Sequence, residues 1–259
     1  MYSAGWRLWN TLAYIATVLV LLLANNLPLG GRTTGEIAAM FSAYGWPAAY
    51  AFSIWGLIYV LLGAFVLLQW RPGWQDMSVF RRIGPWFIVS CFFHIAWVLC
   101  WHYQYFRSSV FLMAGLLLTL VHLYRLTRRV ENSPRDDAGL TALLFVQLPF
   151  SLSAAWASVM TAANALIGLE IAGPAGRGTG GVLLAVVAIV AVAVISLLVF
   201  ARHRDTAWLL AVIWALIAVG IRQQATAPAV AWVSWLLVAA LALVVLRIVR
   251  LPHLRYAGR

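Results

Sequence analysis

Long apolar stretches alternate with short polar segments along the whole chain, and eight of the stretches are long enough to cross a bilayer. A transmembrane helix needs about 20 apolar residues to cross roughly 30 Å of hydrocarbon. The pattern therefore predicts an all-α, polytopic integral membrane protein with eight transmembrane helices. The predicted spans are residues 9–27, 46–69, 84–106, 108–124, 140–168, 180–201, 206–221 and 228–248.

The arginines between these spans fall mainly on one side of the membrane. If the helices alternate in direction, 14 arginines lie on the side that holds both termini. Only Arg32, Arg107, Arg177 and Arg222 lie on the other side. Because positively charged loops stay in the cytoplasm, we predict a multi-pass protein of a bacterial inner (plasma) membrane with cytoplasmic N- and C-termini.

The composition agrees with a membrane protein and excludes an ordinary soluble domain. Hydrophobic residues make up 64% of the chain and charged residues 10%, against about 25% charged residues in a soluble domain. The net charge of +11 is accounted for by the arginine asymmetry, so no nucleic-acid partner is expected. The expected partner is the lipid bilayer, and the arginines favour its anionic headgroups.

The chain divides near residue 172 into two predicted parts. Residues 1–172 form a five-helix bundle that carries nearly all the polar residues at membrane depth. Residues 173–259 form a three-helix C-terminal appendage, which begins at a Gly-rich break around Pro174. The chain shows no internal repeat, which argues against transporters built from inverted repeats.

The longest segment on the arginine-poor side is the loop 28–45, which joins the first two spans. It contains the apolar run 37–41. Two interpretations fit this composition. The loop either folds back over the bundle as a lid, or forms an interfacial half-helix that anchors the second span.

Aromatic and polar side chains at membrane depth are the candidate ligand-binding residues, because polar groups are costly in hydrocarbon. On the third span they share one helix face, and we expect them to line one cavity that opens toward the outer half of the membrane. The alternatives are that the tryptophans serve as interfacial anchors and that His94 only bridges two helices. The candidates are Tyr50, Trp55 and Tyr59 on span two, His94, Trp97 and Trp101 on span three, and Trp156 and Asn164 on span five.

No catalytic or metal-binding signature accompanies these residues. All seven acidic residues fall in connections or at span ends, which disfavours paired-carboxylate chemistry and proton-coupled transport. The nearest histidine pair, His94 and His102, has no evident third ligand in the sequence. We therefore predict neither an enzyme nor a metal site.

The second span has a recognisable motif. Residues 47–63 read PAAYAFSIWGLIYVLLG, with Phe52, Trp55, Tyr59 and Gly63 in order. This segment resembles the second helix of the tryptophan-rich sensory protein / translocator protein (TspO/MBR) family. The family's proline just before its Val-Trp pair is replaced by Ser53.

Two further motifs resemble the same family. His94 and Trp97 stand at the spacing of the family's Asn-x-x-Trp in helix three, with histidine replacing the amide. Trp156 and Asn164 resemble the Trp and Asn of helix five. The resemblance covers about residues 1–170, so the chain is identified as a long form with three extra helices.

Members of this family are five-helix bundles that bind porphyrins, haem and sterol-like ligands under the loop joining helices one and two, often as dimers. The resemblance thus implies that Trp55, Trp97, Trp156 and Asn164 line a ligand cavity and that the loop 28–45 is its lid. If a metal tetrapyrrole binds, His94 is the best axial candidate. The implied ligand is a porphyrin, a haem or a sterol-like lipid.

Three functional hypotheses follow. The first is a membrane binding or sensory protein for a flat apolar ligand, acting as a homodimer or within a larger membrane complex. The second is an accessory structural subunit of a larger, pigment-containing complex, whose tryptophan-rich faces contact protein and lipid. The third is a small-molecule transporter, which the lack of repeats and of membrane carboxylates disfavours.

Overall fold

The computed structural model describes residues 4–27, 29–41, 44–74, 78–128 and 136–250. Its regular secondary structure in these ranges is helical, which confirms the predicted all-α class. Eight helical segments within them are long and apolar enough to cross a membrane, as predicted. The helices are α1 Ala4–Asn26, α2 Thr34–Ala39, α3 Ile54–Leu68, α4 Ser78–His102, α5 Phe106–Thr127, α6 Asp136–Ala142, α7 Leu148–Ala172, α8 Gly178–His203, α9 Thr206–Gln223 and α10 Pro228–Arg250.

Two of the differences between predicted and observed bounds lie at prolines. The third span, helix α4, begins at Ser78 rather than at residue 84, because Pro85 lies inside the helix instead of starting it. The second span enters through a 3₁₀ turn, Ala49–Ser53, before α3 begins. That turn follows the proline-containing start of the span, where the chain cannot yet form a regular α-helix.

The fifth span combines α6 and α7 through a π-helical turn, Leu143–Gln147. Pro149 has no N–H to donate to the carbonyl of Phe145, and the chain accommodates this loss as a π-helical turn. The irregular turn therefore lies directly before the proline, and α7 continues from it as a regular helix.

The centre of the molecule is α7, of which 17 of 25 residues are buried. Its buried serines and alanines allow neighbouring backbones to approach closely. Helices α3, α5, α8 and α9 pack against α7. Outside them, α4 packs against α5 and α1, and α10 packs against α8 and α9.

The three C-terminal helices share the hydrophobic core of the first five spans. The buried apolar residues form one continuous cluster that includes Ile189 and Phe200 of α8 and Leu209 and Leu216 of α9. The division of the chain near residue 172 stays a prediction.

The loop between the first two spans folds over the bundle, as the lid interpretation predicts. We call residues 29–41 the lid. Within it, Ile37 and Ala38 of α2 are buried. The helix is capped by Thr33, whose N–H donates to Glu36 Oε2 at 2.7 Å, and this bond lowers the pKa of the Glu36 carboxyl. Pro28, Ser42 and Ala43 of the predicted loop lie outside the described residues.

Hydrogen bonds from two helices hold the lid. The His102 ring lies 3.1 Å from Thr34 Oγ1 through Nε2 and 3.1 Å from the carbonyl oxygen of Leu29 through Nδ1. From α9, Arg222 Nη2 donates to the carbonyl oxygen of Ala38 at 3.4 Å. The lid is therefore fastened to the end of α4 and to the C-terminal helices.

The helix ends form two opposite faces of the molecule, and the lid covers one of them. Helices α1, α4 and α9 end at the lid, and α5 begins there, so the helices alternate in direction as predicted. Arg125 and Arg202 lie at the opposite, arginine-rich face, where α5 and α8 end. The predicted arginines 129, 135, 255 and 259 lie outside the described residues.

Candidate functional site

The inner part of the predicted site is a contact between α3 and α4. The Tyr59 hydroxyl lies 2.9 Å from Nε2 and 3.0 Å from Nδ1 of His94. Trp55 stacks on Tyr59 at a centroid distance of 5.6 Å and meets the His94 ring edge-on at 4.4 Å. Tyr14 of α1, which the sequence analysis missed, donates to the Tyr59 carbonyl oxygen at 2.8 Å. His94 therefore bridges two helices, and its hydrogen-bonding partner is Tyr59.

A second group joins α4, α5 and α7 around the Asn164 side chain. Trp97 Nε1 donates to Asn164 Oδ1 at 3.2 Å, and Ser109 Oγ donates to the same oxygen at 3.4 Å. Asn164 Nδ2 donates to the carbonyl oxygen of Met160 at 2.8 Å. Both ends of this buried amide are therefore paired, which fixes the orientation of the Trp97 ring.

Above this group, three tryptophans stack toward the lid. Trp101 is fully buried and lies parallel to Trp46 at a centroid distance of 5.0 Å, with only 4° between the ring planes. Its other neighbour, Trp97, lies at 5.8 Å. Trp101 Nε1 donates to the carbonyl oxygen of Thr34 in the lid at 3.4 Å. Trp46, which is not among the residues predicted from the sequence, is also fully buried.

Trp156 connects the two groups from the side of α7. It meets Trp55 at 6.3 Å and Phe52 at 5.9 Å, both edge-on. Phe52 in turn lies 5.8 Å from Trp46. The buried Nε1 atoms of Trp46 and Trp156 have no hydrogen-bond acceptor among the described residues. Phe52 therefore contacts both of the rings that carry an unpaired indole donor.

These contacts join seven of the eight predicted residues in one network. Tyr50 lies apart from it, packed edge-on against Trp214 of α9 at 5.2 Å and 40% exposed. The 3₁₀ turn before α3 carries Tyr50, so the helical spacing that relates it to Trp55 in the sequence does not apply. We define the aromatic cluster as Trp46, Phe52, Trp55, Tyr59, His94, Trp97, Trp101, Trp156 and Asn164.

Along the described residues, little free space lies against the inner part of the aromatic cluster. The cavity that lies against its inner part, between Tyr14, Tyr59, Cys91 and His94, has a volume of about 20 Å³. That volume accommodates about one water molecule, whereas pockets for drug-sized ligands measure roughly 300–1,000 Å³. This cavity is too small for a flat ligand, and the larger ligand cavity expected from the sequence stays a prediction.

A second cavity of about 780 Å³ lies at the arginine-rich face, between α5, α7, α8 and the start of α9. Apolar side chains of α5 and α8 form its walls, and Arg125, Arg128 and Arg202 lie at its rim. The sequence analysis missed this cavity because its walls are ordinary apolar helix residues. The sequence feature that could have indicated this cavity was the pair Arg125 and Arg202, at the ends of spans four and six.

Comparison with protein-family models gives a match over residues 7–247 to the family described as TSPO-like protein. The matched region runs from α1 into α10, so it includes the three C-terminal helices as well as the segment that carries the motifs. Comparisons with curated proteins and with solved structures give no match. The match covers most of the chain and agrees with the eight apolar helices of an integral membrane protein. The chain belongs to the TSPO-like protein family, the family to which its Trp, Tyr and Asn motifs point.

Proposed function

We propose that this protein is a membrane binding or sensory protein that holds a flat apolar ligand, a tetrapyrrole or a sterol-like lipid, in the aromatic cluster. Family membership supports the ligand-binding or sensory role. The cluster supports the ligand class, because stacked indole and phenol rings offer wide apolar faces to a planar partner. Its few polar groups, above all the two indole donors, would orient that partner.

The observation that carries this proposal is the pair of unpaired indole donors on Trp46 and Trp156. Native structures pair nearly all buried polar groups, and an unpaired one costs about 1–3 kcal/mol. A ligand that brings an acceptor between these rings removes that cost. A porphyrin carboxylate and a sterol hydroxyl are both suitable acceptors.

The parallel stack of Trp46 on Trp101 suggests how a planar ligand binds. The two rings are separated by 5.0 Å between centroids, and Trp46 closely follows the lid in the chain. When the lid moves, a planar ligand can replace Trp46 on the face of Trp101. Binding is then coupled to a change in lid position, which is the property that a sensory protein requires.

Protoporphyrin titration of three phenylalanine variants tests the site. Trp46→Phe and Trp156→Phe keep an aromatic ring and remove one N–H donor, so each is expected to weaken binding roughly fivefold through the lost hydrogen bond. Trp208→Phe is the matched control, because Trp208 is also buried with an unpaired Nε1 but lies at the second cavity. Dissociation constants are measured from the porphyrin absorbance in nanodiscs, with a fluorescent sterol titrated in parallel.

Equal affinities in the wild type and in both cluster variants would contradict this site. Weaker binding in Trp208→Phe alone would move the ligand to the second cavity. Failure of both the porphyrin and the sterol to bind in a saturable way would overturn the proposed function.

We also propose that the arginine-rich face is the cytoplasmic face of a bacterial inner membrane. The arginine asymmetry supports this orientation. Single cysteines at Arg177 and Arg202, at the two ends of α8, are compared in a cysteine-free background. A membrane-impermeant maleimide added to intact cells is expected to label position 177 and not position 202. Labelling of position 202 from outside would reverse the orientation.

A further inference from the structure

The second cavity is a cleft between two helices that both pack against α7. Its volume is about 780 Å³. The walls carry Leu117 and Val121 of α5 and Ile195 and Leu198 of α8, and Ser158 of α7 lies in its lining. Because α5 and α8 both cross the membrane, an apolar cleft between them borders the acyl-chain region of the bilayer.

The rim of the cleft is positively charged. Arg125 and Arg202 are exposed, and the side chain of neither has a hydrogen bond or an ion pair with any other described residue. Arg128 is held in place, with Nη1 donating to Gln147 Oε1 at 3.2 Å and Nη2 donating to the carbonyl oxygen of His203. Two arginines at the rim are thus available to an anion, and the third is fixed beside them.

A neutral donor lies deeper in the cleft. Trp208 is only 2% exposed, and its buried Nε1 has no acceptor among the described residues. The ring packs edge-on against Tyr124 at 5.2 Å. The cleft is therefore lined by two available cations, by apolar side chains and by a tryptophan whose buried N–H has no acceptor among the described residues.

We propose that this cleft binds one phospholipid with an anionic headgroup. The phosphate pairs with Arg125 and Arg202, an ester oxygen accepts from Trp208 Nε1, and an acyl chain covers the apolar walls of α5 and α8. Basic pockets between transmembrane helices recognise acidic headgroups in this way. The volume is within the range of sites that enclose one small molecule, and a soluble anion alone would leave the apolar walls uncovered. The inference is independent of the proposed function, which concerns the aromatic cluster.

Native mass spectrometry of the delipidated full chain tests the proposal by titration with phosphatidylglycerol and phosphatidylcholine. The double variant Arg125→Gln/Arg202→Gln is expected to bind phosphatidylglycerol roughly 30-fold more weakly, since each arginine contributes to headgroup attraction. The matched control is Arg107→Gln, an exposed arginine at the other end of α5, which should bind like the wild type. Trp208→Phe should weaken binding of this lipid while leaving porphyrin affinity unchanged.

Several results would overturn the lipid site. The first is an affinity of the wild type for phosphatidylcholine equal to that for phosphatidylglycerol. The second is a loss of phosphatidylglycerol binding in Arg107→Gln as large as in the double variant. The third is competition by glycerol phosphate, which lacks acyl chains, as effective as that by the intact lipid. A second variant checks the apolar part. Val199→Trp places a large ring in the cleft lining and should reduce phosphatidylglycerol binding with both arginines intact, whereas unchanged binding would reject the acyl-chain placement.

Discussion

Replacing Trp101 with alanine is expected to lower the free energy of unfolding by about 4 kcal/mol and to release the lid. Trp101 is fully buried and stacks on both Trp46 and Trp97. Its indole also donates to the carbonyl oxygen of Thr34 in the lid. Removing the side chain thus leaves a cavity in the aromatic stack and breaks a contact between α4 and the lid. Denaturant titration in mixed micelles measures the stability, and the rate of tryptic cleavage at Arg32 measures lid release.

The matched control is Trp232→Ala on α10, where the tryptophan is 70% exposed. A substitution at such a site normally changes stability by no more than about 0.5 kcal/mol. Similar losses in the two alanine variants would mean that burial in the stack does not set the stability. An unchanged cleavage rate at Arg32 in Trp101→Ala would show that the lid is held by its other contacts.

Removal of the Asp205 carboxylate is expected to have the second large effect. Asp205 is buried at the start of α9, where Oδ1 accepts from the Trp208 N–H at 3.1 Å and Oδ2 accepts from Ser151 Oγ at 2.8 Å. It also pairs with Arg128 at 3.9 Å. Asp205→Ala removes the helix cap and the partner of a largely buried charge, with an expected loss of about 3 kcal/mol.

Asp205→Asn separates these contributions. Asparagine is as good a cap as aspartate, since its side-chain oxygen can accept from the Trp208 N–H while its amide nitrogen donates to Ser151 Oγ. Only the charge opposite Arg128 is lost, so the expected destabilisation is about 1 kcal/mol. Thermal and denaturant unfolding of both variants give the comparison. Equal destabilisation by asparagine and alanine would assign the whole effect to the charge pair and none to the cap.

Much of the fold was predictable because hydrocarbon imposes strong constraints on a chain. Eight apolar stretches became eight helices, and the arginine pattern matched the alternation of their directions. The bounds were less predictable near prolines. Pro85 lies inside α4, and the second span begins with a 3₁₀ turn. In both places, the hydropathy pattern marks the apolar stretch but not the residue at which the regular helix begins.

The candidate site was predictable only where one helix carries it. His94, Trp97 and Trp101 share a face of α4 because of the helical period, and the structure places all three in the aromatic cluster. Contacts between helices were not predictable. A tryptophan before a proline resembles an interfacial anchor, so Trp46 was missed, and nothing in the sequence pairs Tyr14 with Tyr59.

Helix α9 is hydrogen-bonded both to the lid and to the residues that connect the lid to α3, so it is coupled to any ligand whose binding moves the lid. Arg222 donates to Ala38, the Ala48 N–H donates to the Ala218 carbonyl oxygen at 3.0 Å, and Trp214 Nε1 donates to the Ala51 carbonyl oxygen at 3.1 Å. A ligand whose binding breaks these hydrogen bonds to α9 loses part of its binding free energy in doing so. Because thermodynamic linkage is reciprocal, a partner that acts on α9 changes the ligand's affinity in turn. A lipid or protein that stabilises the attachment of α8–α10 will therefore lower the affinity of the ligand. The ligand will lower the affinity of that lipid or protein by the same factor.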